Sequence, residues 1–224
     1  MKKIFLLLVS CLLLGNIESY AQLTKEQIKE RKENKKMTKS ELNAKASKVA
    51  SKQAKVYAKE GWVVSPGALP LEKQLDKAYN MSYEYDEDLF PKYIFAEAQS
   101  IGENYDAAKM QALELAKQNL AGQIQTEVTE LVQNAVANEQ LAAEEAVSVT
   151  QTIAASQNLI VQSIGRVIPV VECYRTLNNK NKEILVRIAY NSEMSKQAAK
   201  KAARQALEEK GEEVQAKLDK LMGW

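Results

Sequence analysis

No histidine occurs in the 224 residues, which removes the usual general base at neutral pH, the Ser-His and Cys-His nucleophile pairs and the commonest zinc ligand. Glycine is scarce at eight residues, and neither a Walker phosphate loop nor a G-x-G-x-x-G dinucleotide fingerprint is present. Neither route to nucleotide binding is therefore expected. The chain has two cysteines, Cys11 and Cys173. If processing removes the first, no intramolecular disulfide can form, and the fold must rest on its apolar core. Long hydrophobic runs are also missing after the first two dozen residues, so nothing later reaches membrane-spanning length. No motif indicates a cofactor, a metal or a small-molecule substrate, and none of the residues points to a catalytic role.

What is present begins with the layout of a secretory signal. Lys2 and Lys3 form a positive start, Ile4 to Leu14 an apolar stretch, and Ser19-Tyr20-Ala21 a small-residue cleavage site. This stretch of eleven residues, polar only at Ser10, falls short of the roughly twenty that a membrane-spanning helix needs. Cleavage after Ala21 makes Gln22 the mature N-terminus. Leu8-Val9-Ser10-Cys11 offers a second outcome, because it has the residue types of a lipoprotein processing box with Cys11 as the lipidated residue. Leu12, Leu13 and Leu14 argue against it by prolonging the apolar run where a polar tether is usual. The expected address is export, to the periplasm or the outer membrane of a bacterium.

Loss of the signal leaves a net charge of about +1, but that charge is unevenly placed. Leu23 to Glu60 holds twelve Lys or Arg against five Glu, so residues 22–60 read as a basic helical arm without Gly or Pro. Its sparse apolar positions, Ile28, Met37, Leu42, Val49, Val56 and Tyr57, predict a solvated helix or spacer. A functional alternative is contact with an anionic membrane or cell-wall surface. Nucleic acid is not an expected partner, because no aromatic or Arg-rich readout accompanies the lysines.

Pro66, Gly67 and Pro70 then interrupt the pattern, and residues 61–92 read as a Tyr-rich irregular linker. Its acidic cluster around Asp86, Glu87 and Asp88 lacks both the alternate liganding positions and the turn glycine of a calcium loop, and reads as a solvated turn. Trp62 and Trp224 lie at the edges of elements, where local packing is the ordinary outcome.

Residues 93–224 carry the fold. Tyr93 to Ile101 alternates as a strand, Gly102 and Asn104 supply a turn and an N-cap, and a long helix is predicted from Tyr105. Its stripe runs Ala108, Ala112, Leu113, Ala116, Leu120, Ile124, Val128, Leu131 and Ala135. The pattern continues through Val149 and Ile160 to Ile164, with a junction between two helices expected near Asn138. Val167 to Thr176 and Glu183 to Tyr190 flank Asn178-Asn179-Lys180-Asn181 as a hairpin, with Pro169 on an edge or bulge. The alternation of Ile184, Val186, Ile188 and Tyr190 against Leu185, Arg187 and Ala189 predicts a sheet covered mainly on one side. Asn191 and Ser192 can cap a final helix, which Gly211 would weaken. The expected class is α+β, of order β-α-α-β-β-α, a small three-stranded sheet covered by long helices.

Without histidine, catalysis would need paired carboxylates, a Ser-Lys dyad or a thiol. Glu144-Glu145, Glu208-Glu209 and Glu212-Glu213 lie on charged helix faces and read as solvated. Cys173 sits in an apolar strand and reads as a buried, inert thiol.

Ala96-Glu97-Ala98, Ile101-Gly102, Asn104, Asp106-Ala107, Ala112, Leu115-Ala116, Asn119-Leu120-Ala121 and Ile124 together resemble the opening of the LPP-twenty lipoprotein family. The resemblance covers roughly residues 93–192. It implies a strand ending near glycine, an alanine-spaced helix, a second helix and a β-hairpin, in small surface or periplasmic lipoproteins, with a similar domain in a flagellar accessory protein. It brings no enzymatic activity and no functional residues to map. The basic arm and the Tyr-rich segment lie outside the shared pattern. The function expected is that of a non-enzymatic envelope protein acting through an envelope protein partner or self-association.

Overall fold

The computed structural model describes residues 24–87, 89–137, 147, 150–151 and 157–207. The elements in chain order are α1 (Lys25–Lys36), α2 (Lys39–Lys59), α3 (Leu71–Ser82), β1 (Tyr93–Gly102), α4 (Tyr105–Ala137), α5 (Gln157–Ser163), β2 (Ile168–Thr176), β3 (Lys182–Asn191) and α6 (Ser192–Leu207). The fold is α+β, and its second half has the expected order β-α-α-β-β-α. The signal positions Ala21 and Gln22, the alternative acceptor Cys11, the junction near Asn138, the three glutamate pairs, Gly211 and Trp224 lie outside the described residues.

The sheet is antiparallel in the order β1-β3-β2. The most apolar strand, β3, takes the centre, where both of its edges are hydrogen-bonded. It pairs with β1 from Tyr93↔Asn191 to Gly102↔Lys182, and with β2 from Ile168↔Ala189 to Thr176↔Lys182. The register shifts between Pro169 and Val171, which puts proline, lacking an N–H, at an irregularity on an outer strand. The hairpin closes through Leu177 N–H to Asn181 O at 2.9 Å and Lys180 N–H to Leu177 O at 2.9 Å.

One face of the sheet lies under α4. Asn104 Oδ1 accepts the Asp106 N–H at 2.8 Å and starts the helix. A Cβ at Gly102 would stand 3.2 Å from the Ala108 Cβ, so a glycine lets the strand turn tightly into the helix. The stripe Ala108, Ala112, Ala116, Leu120, Ile124 and Val128 is buried against Ala96, Ile184, Val186, Ile188 and Tyr190, with Ile160 of α5 and Ala199 and Ala202 of α6 completing that core. Asn191 Oδ1 accepts the N–H groups of Glu193 and Met194 at 2.9 and 3.1 Å and caps α6.

The opposite face is where the sequence reading needs correction. It is not open: Leu185, Ala189, Val171 and Cys173 are buried against Ala50, Tyr57, Trp62, Leu75, Ala78 and Met81. The expected solvated arm is two helices separated at Met37. Each begins in a capping box, Thr24 with Gln27 and Thr38 with Glu41. Along α2, Ala46, Ala50 and Tyr57 are buried, and the small side chains of the two alanines let α2 pack closely on α3. The expected irregular linker contains α3, a helix of three turns that buries Gln74, Leu75, Ala78 and Met81. The spacing of those four residues is helical, but only Leu75 and Met81 are long apolar side chains.

Both outer strands are protected. Along β2, Val63 exchanges two hydrogen bonds of 2.8 Å with Tyr174, and Gln74 Oε1 accepts the Glu172 N–H at 2.7 Å. Along β1, Asn119 and Gln123 of α4 donate to the carbonyls of Glu97 at 2.9 Å and Phe95 at 3.1 Å.

Candidate functional site

The polar side chains that the fold gathers fall into three clusters, and each joins elements that are distant in sequence. The first is at the start of α4. Tyr105 O–H donates to Glu172 Oε1 at 2.7 Å, shares a 2.6 Å hydrogen bond with Ser65 Oγ, and meets the Tyr174 ring edge-on at 5.3 Å. One turn on, Lys109 Nζ lies 2.8 Å from the same carboxylate oxygen. Ser65, Tyr105, Glu172 and Lys109 thus clasp the loop before α3, α4 and β2. Burial, reinforced by Glu172, pushes the Tyr105 phenol up to about 12. The lysine is thus paired with the carboxylate that also accepts from Tyr105.

The second cluster is the ion pair beneath α2. Arg187 Nε and Nη2 donate to Glu97 Oε2 at 2.8 and 2.7 Å, directly across the β1–β3 ladder. Burial opposes the charge on Arg187, but Glu97 outweighs it and holds the guanidinium pKa above its ordinary value. Cys173 lies nearby and is fully buried. Burial first, and then the Glu97 charge, raises its thiol to about 12. The same two causes push Tyr57 to about 12. The burial of Cys173 agrees with the sequence reading of a buried thiol.

The third cluster joins the arm to the Tyr-rich segment and was invisible in the sequence. Arg31 Nη1 donates to Leu89 O at 2.8 Å and its guanidinium stands over the Tyr85 ring at 5.6 Å. Lys35 Nζ donates to Asp86 O at 2.9 Å. Lys45 Nζ lies 4.9 Å from the Tyr83 ring centre and donates to Asn34 Oδ1 at 3.0 Å. The segment is a closed turn, with Asp86 Oδ1 accepting the Phe90 N–H at 2.8 Å. These cations of the arm thus work as braces for this turn.

Trp62 packs locally, buried beside Tyr57 at 6.3 Å and under Arg175 at 4.7 Å. Arg175 in turn pairs with Glu183 at 2.6 Å. Among the described residues, no three His, Cys, Asp or Glu side chains gather as a metal site, and no helix is long and apolar enough to cross a membrane. Comparisons with protein-family models, with curated proteins and with solved structures find no match.

Proposed function

We propose that this chain is an exported, non-enzymatic protein of the bacterial cell envelope that acts through protein contacts, including contact with a second copy of itself. The observation that carries this reading is the reach of α4. Its 33 residues extend about 50 Å, against about 33 Å for the ten-residue strand it covers. A Cβ on Gly122 would stand 3.8 Å from Gln157, where α5 begins, while α4 continues to Ala137. In sequence, Leu131 and Ala135 carry the apolar stripe onward through this extension, and a stripe of that kind calls for a partner surface.

Two further points support the reading. The ionisable groups gathered inside the fold are engaged in clasps and ion pairs, with the phenols and the thiol raised away from neutrality. The resemblance to LPP-twenty lipoproteins also points to an envelope address. Crosslinking and pull-down from the native envelope, with Leu131→Asp as the paired variant, tests the proposal. The expected result is a reproducible partner or dimer that the variant loses while its circular dichroism still shows a folded protein. A monomer without reproducible partners would contradict it. Intact mass of the purified protein separates cleavage, with Gln22 first, from acylation at Cys11.

A further inference from the structure

We infer that the outward face of α2 is a docking surface for an anionic phospholipid bilayer. The buried seam of this helix, Ala46, Ala50 and Tyr57, fixes which way the rest of it points. Lys48, Lys52, Lys55 and Lys59 follow steps of four, three and four and fall within an arc of about 60° opposite that seam. All four are exposed, and among the described residues none makes a hydrogen bond or ion pair. Other lysines of the arm behave differently, since Lys35 and Lys45 are engaged with Asp86 and Asn34. The outward row extends about 16 Å along the helix.

Acid is missing from this face. Between Glu41 and Glu60 the chain contains no Asp or Glu. Glu41 is taken up by the Thr38 cap, whose hydrogen bonds hold its carboxyl below the usual range, and Glu60 accepts from Trp62 Nε1 at 3.2 Å. Nothing within the helix neutralises the row, and packing on α3 holds it in one orientation. The face is therefore complementary to a plane of negative charge.

Two valines choose the kind of plane. Val49 and Val56 flank the lysines on one side and stay 38% and 37% exposed. Lysine heads at the phosphate level with short apolar side chains beside them suit the headgroup boundary of a bilayer, whereas a hydrated polysaccharide gains nothing from the valines. This inference goes beyond the protein-contact reading and does not depend on it, because vesicle binding is read on the isolated protein.

The test is cosedimentation of the purified protein, every variant carrying the same N-terminus, with phosphatidylglycerol–phosphatidylcholine vesicles and with pure phosphatidylcholine vesicles across a salt series. The expected result is binding to the anionic vesicles alone, weakening as salt shortens the screening length. Each lysine of the row changed to glutamine should lower the partition coefficient about fivefold, and the fourfold Arg variant should retain binding. Val49→Ser with Val56→Ser should weaken binding at a given salt concentration. A control removing four other lysines, Lys92, Lys117, Lys180 and Lys201, loses the same net charge and should have much the smaller effect. Equal losses in the two fourfold Gln variants, or no binding to anionic vesicles at low salt, would overturn the inference. So would binding to soluble polygalacturonate as tight as to vesicles, together with indifference to the valine changes.

Discussion

The two faces of the sheet are buried by different means. Under α4, the contact is a long stripe of Ala, Leu, Ile and Val against the branched residues of β3, and few polar atoms intervene. Under α2 and α3, the contact mixes alanines with Tyr57, Trp62 and Met81, and the Glu97–Arg187 ion pair lies on the strand surface beneath it. The first face is sealed mainly by apolar area, with polar bonds from α4 to the outer strands at its margins. The second holds by close packing of small residues, with polar braces between the arm and the turn around Asp86. The lesson is that a lysine-rich helix can belong to the buried cover of a sheet while its composition resembles a solvated tail.

The largest expected effects compare the two faces directly. Leu120→Ala under α4 and Leu75→Ala in α3 each remove a fully buried leucine and should each cost about 2–5 kcal/mol in chemical denaturation. A loss below about 1 kcal/mol for Leu75→Ala alone would show that the arm side is peripheral.

Next in size is the ion pair, which distinguishes the second face. Arg187→Leu leaves Glu97 half-buried without its guanidinium and should destabilise by about 2–3 kcal/mol, at or below the low end for buried pairs because both side chains keep some exposure. Adding Glu97→Leu should recover most of that loss. A double variant no more stable than the single one would place the value of Arg187 in its packing rather than its charge.

Legibility in the sequence divides along the same line. The stripe of α4, the Asn104 and Asn191 caps, the hairpin and the edge position of Pro169 could all be read, because each is a local pattern of spacing or turn chemistry. The second cover could not. Ala46 and Ala50 are buried, but alanine is as common on exposed helix faces, so the seam gives weak periodicity. The breaks at Pro66, Gly67 and Pro70 and the tyrosines that follow drew the reading of residues 61–92 toward a linker and hid α3. The braces are also unreadable: Arg31 meets Leu89 across 58 positions, and no spacing rule encodes such a contact. Of the signal positions Ala21, Gln22 and Cys11, none falls within the described residues.

A smaller change tests whether the arm folds as a capped unit. Thr38 accepts the Glu41 N–H at 3.3 Å, while the Glu41 carboxylate accepts from the Thr38 N–H at 2.8 Å. Thr38→Ala should cost about 1 kcal/mol, seen as a lower denaturation midpoint with the slope unchanged. Loss of helical circular dichroism in folded protein would show instead that α2 frays independently of the sheet.

The smallest effect at neutral pH belongs to the buried thiol and phenol of the arm side. Their folded pKa values are raised, so the unfolded chain releases these protons first. Stability is therefore fully present below the unfolded pKa values, and it is lost as pH rises from about 9, the ordinary thiol value, toward 12. Cys173→Val should flatten the start of that decline and Tyr57→Phe its later part, as read from denaturation midpoints across alkaline pH. A decline with the same slope in both variants would contradict the assignment.

The most direct measurement of the arm's place as the second cover of the sheet is native-state hydrogen exchange along α2. Amides from Ala46 to Tyr57 should be protected to nearly the same free energy as those of β3, opening only with the whole fold. Fast exchange across α2 while β3 stays protected would contradict that claim and would leave the lysine row on a mobile segment.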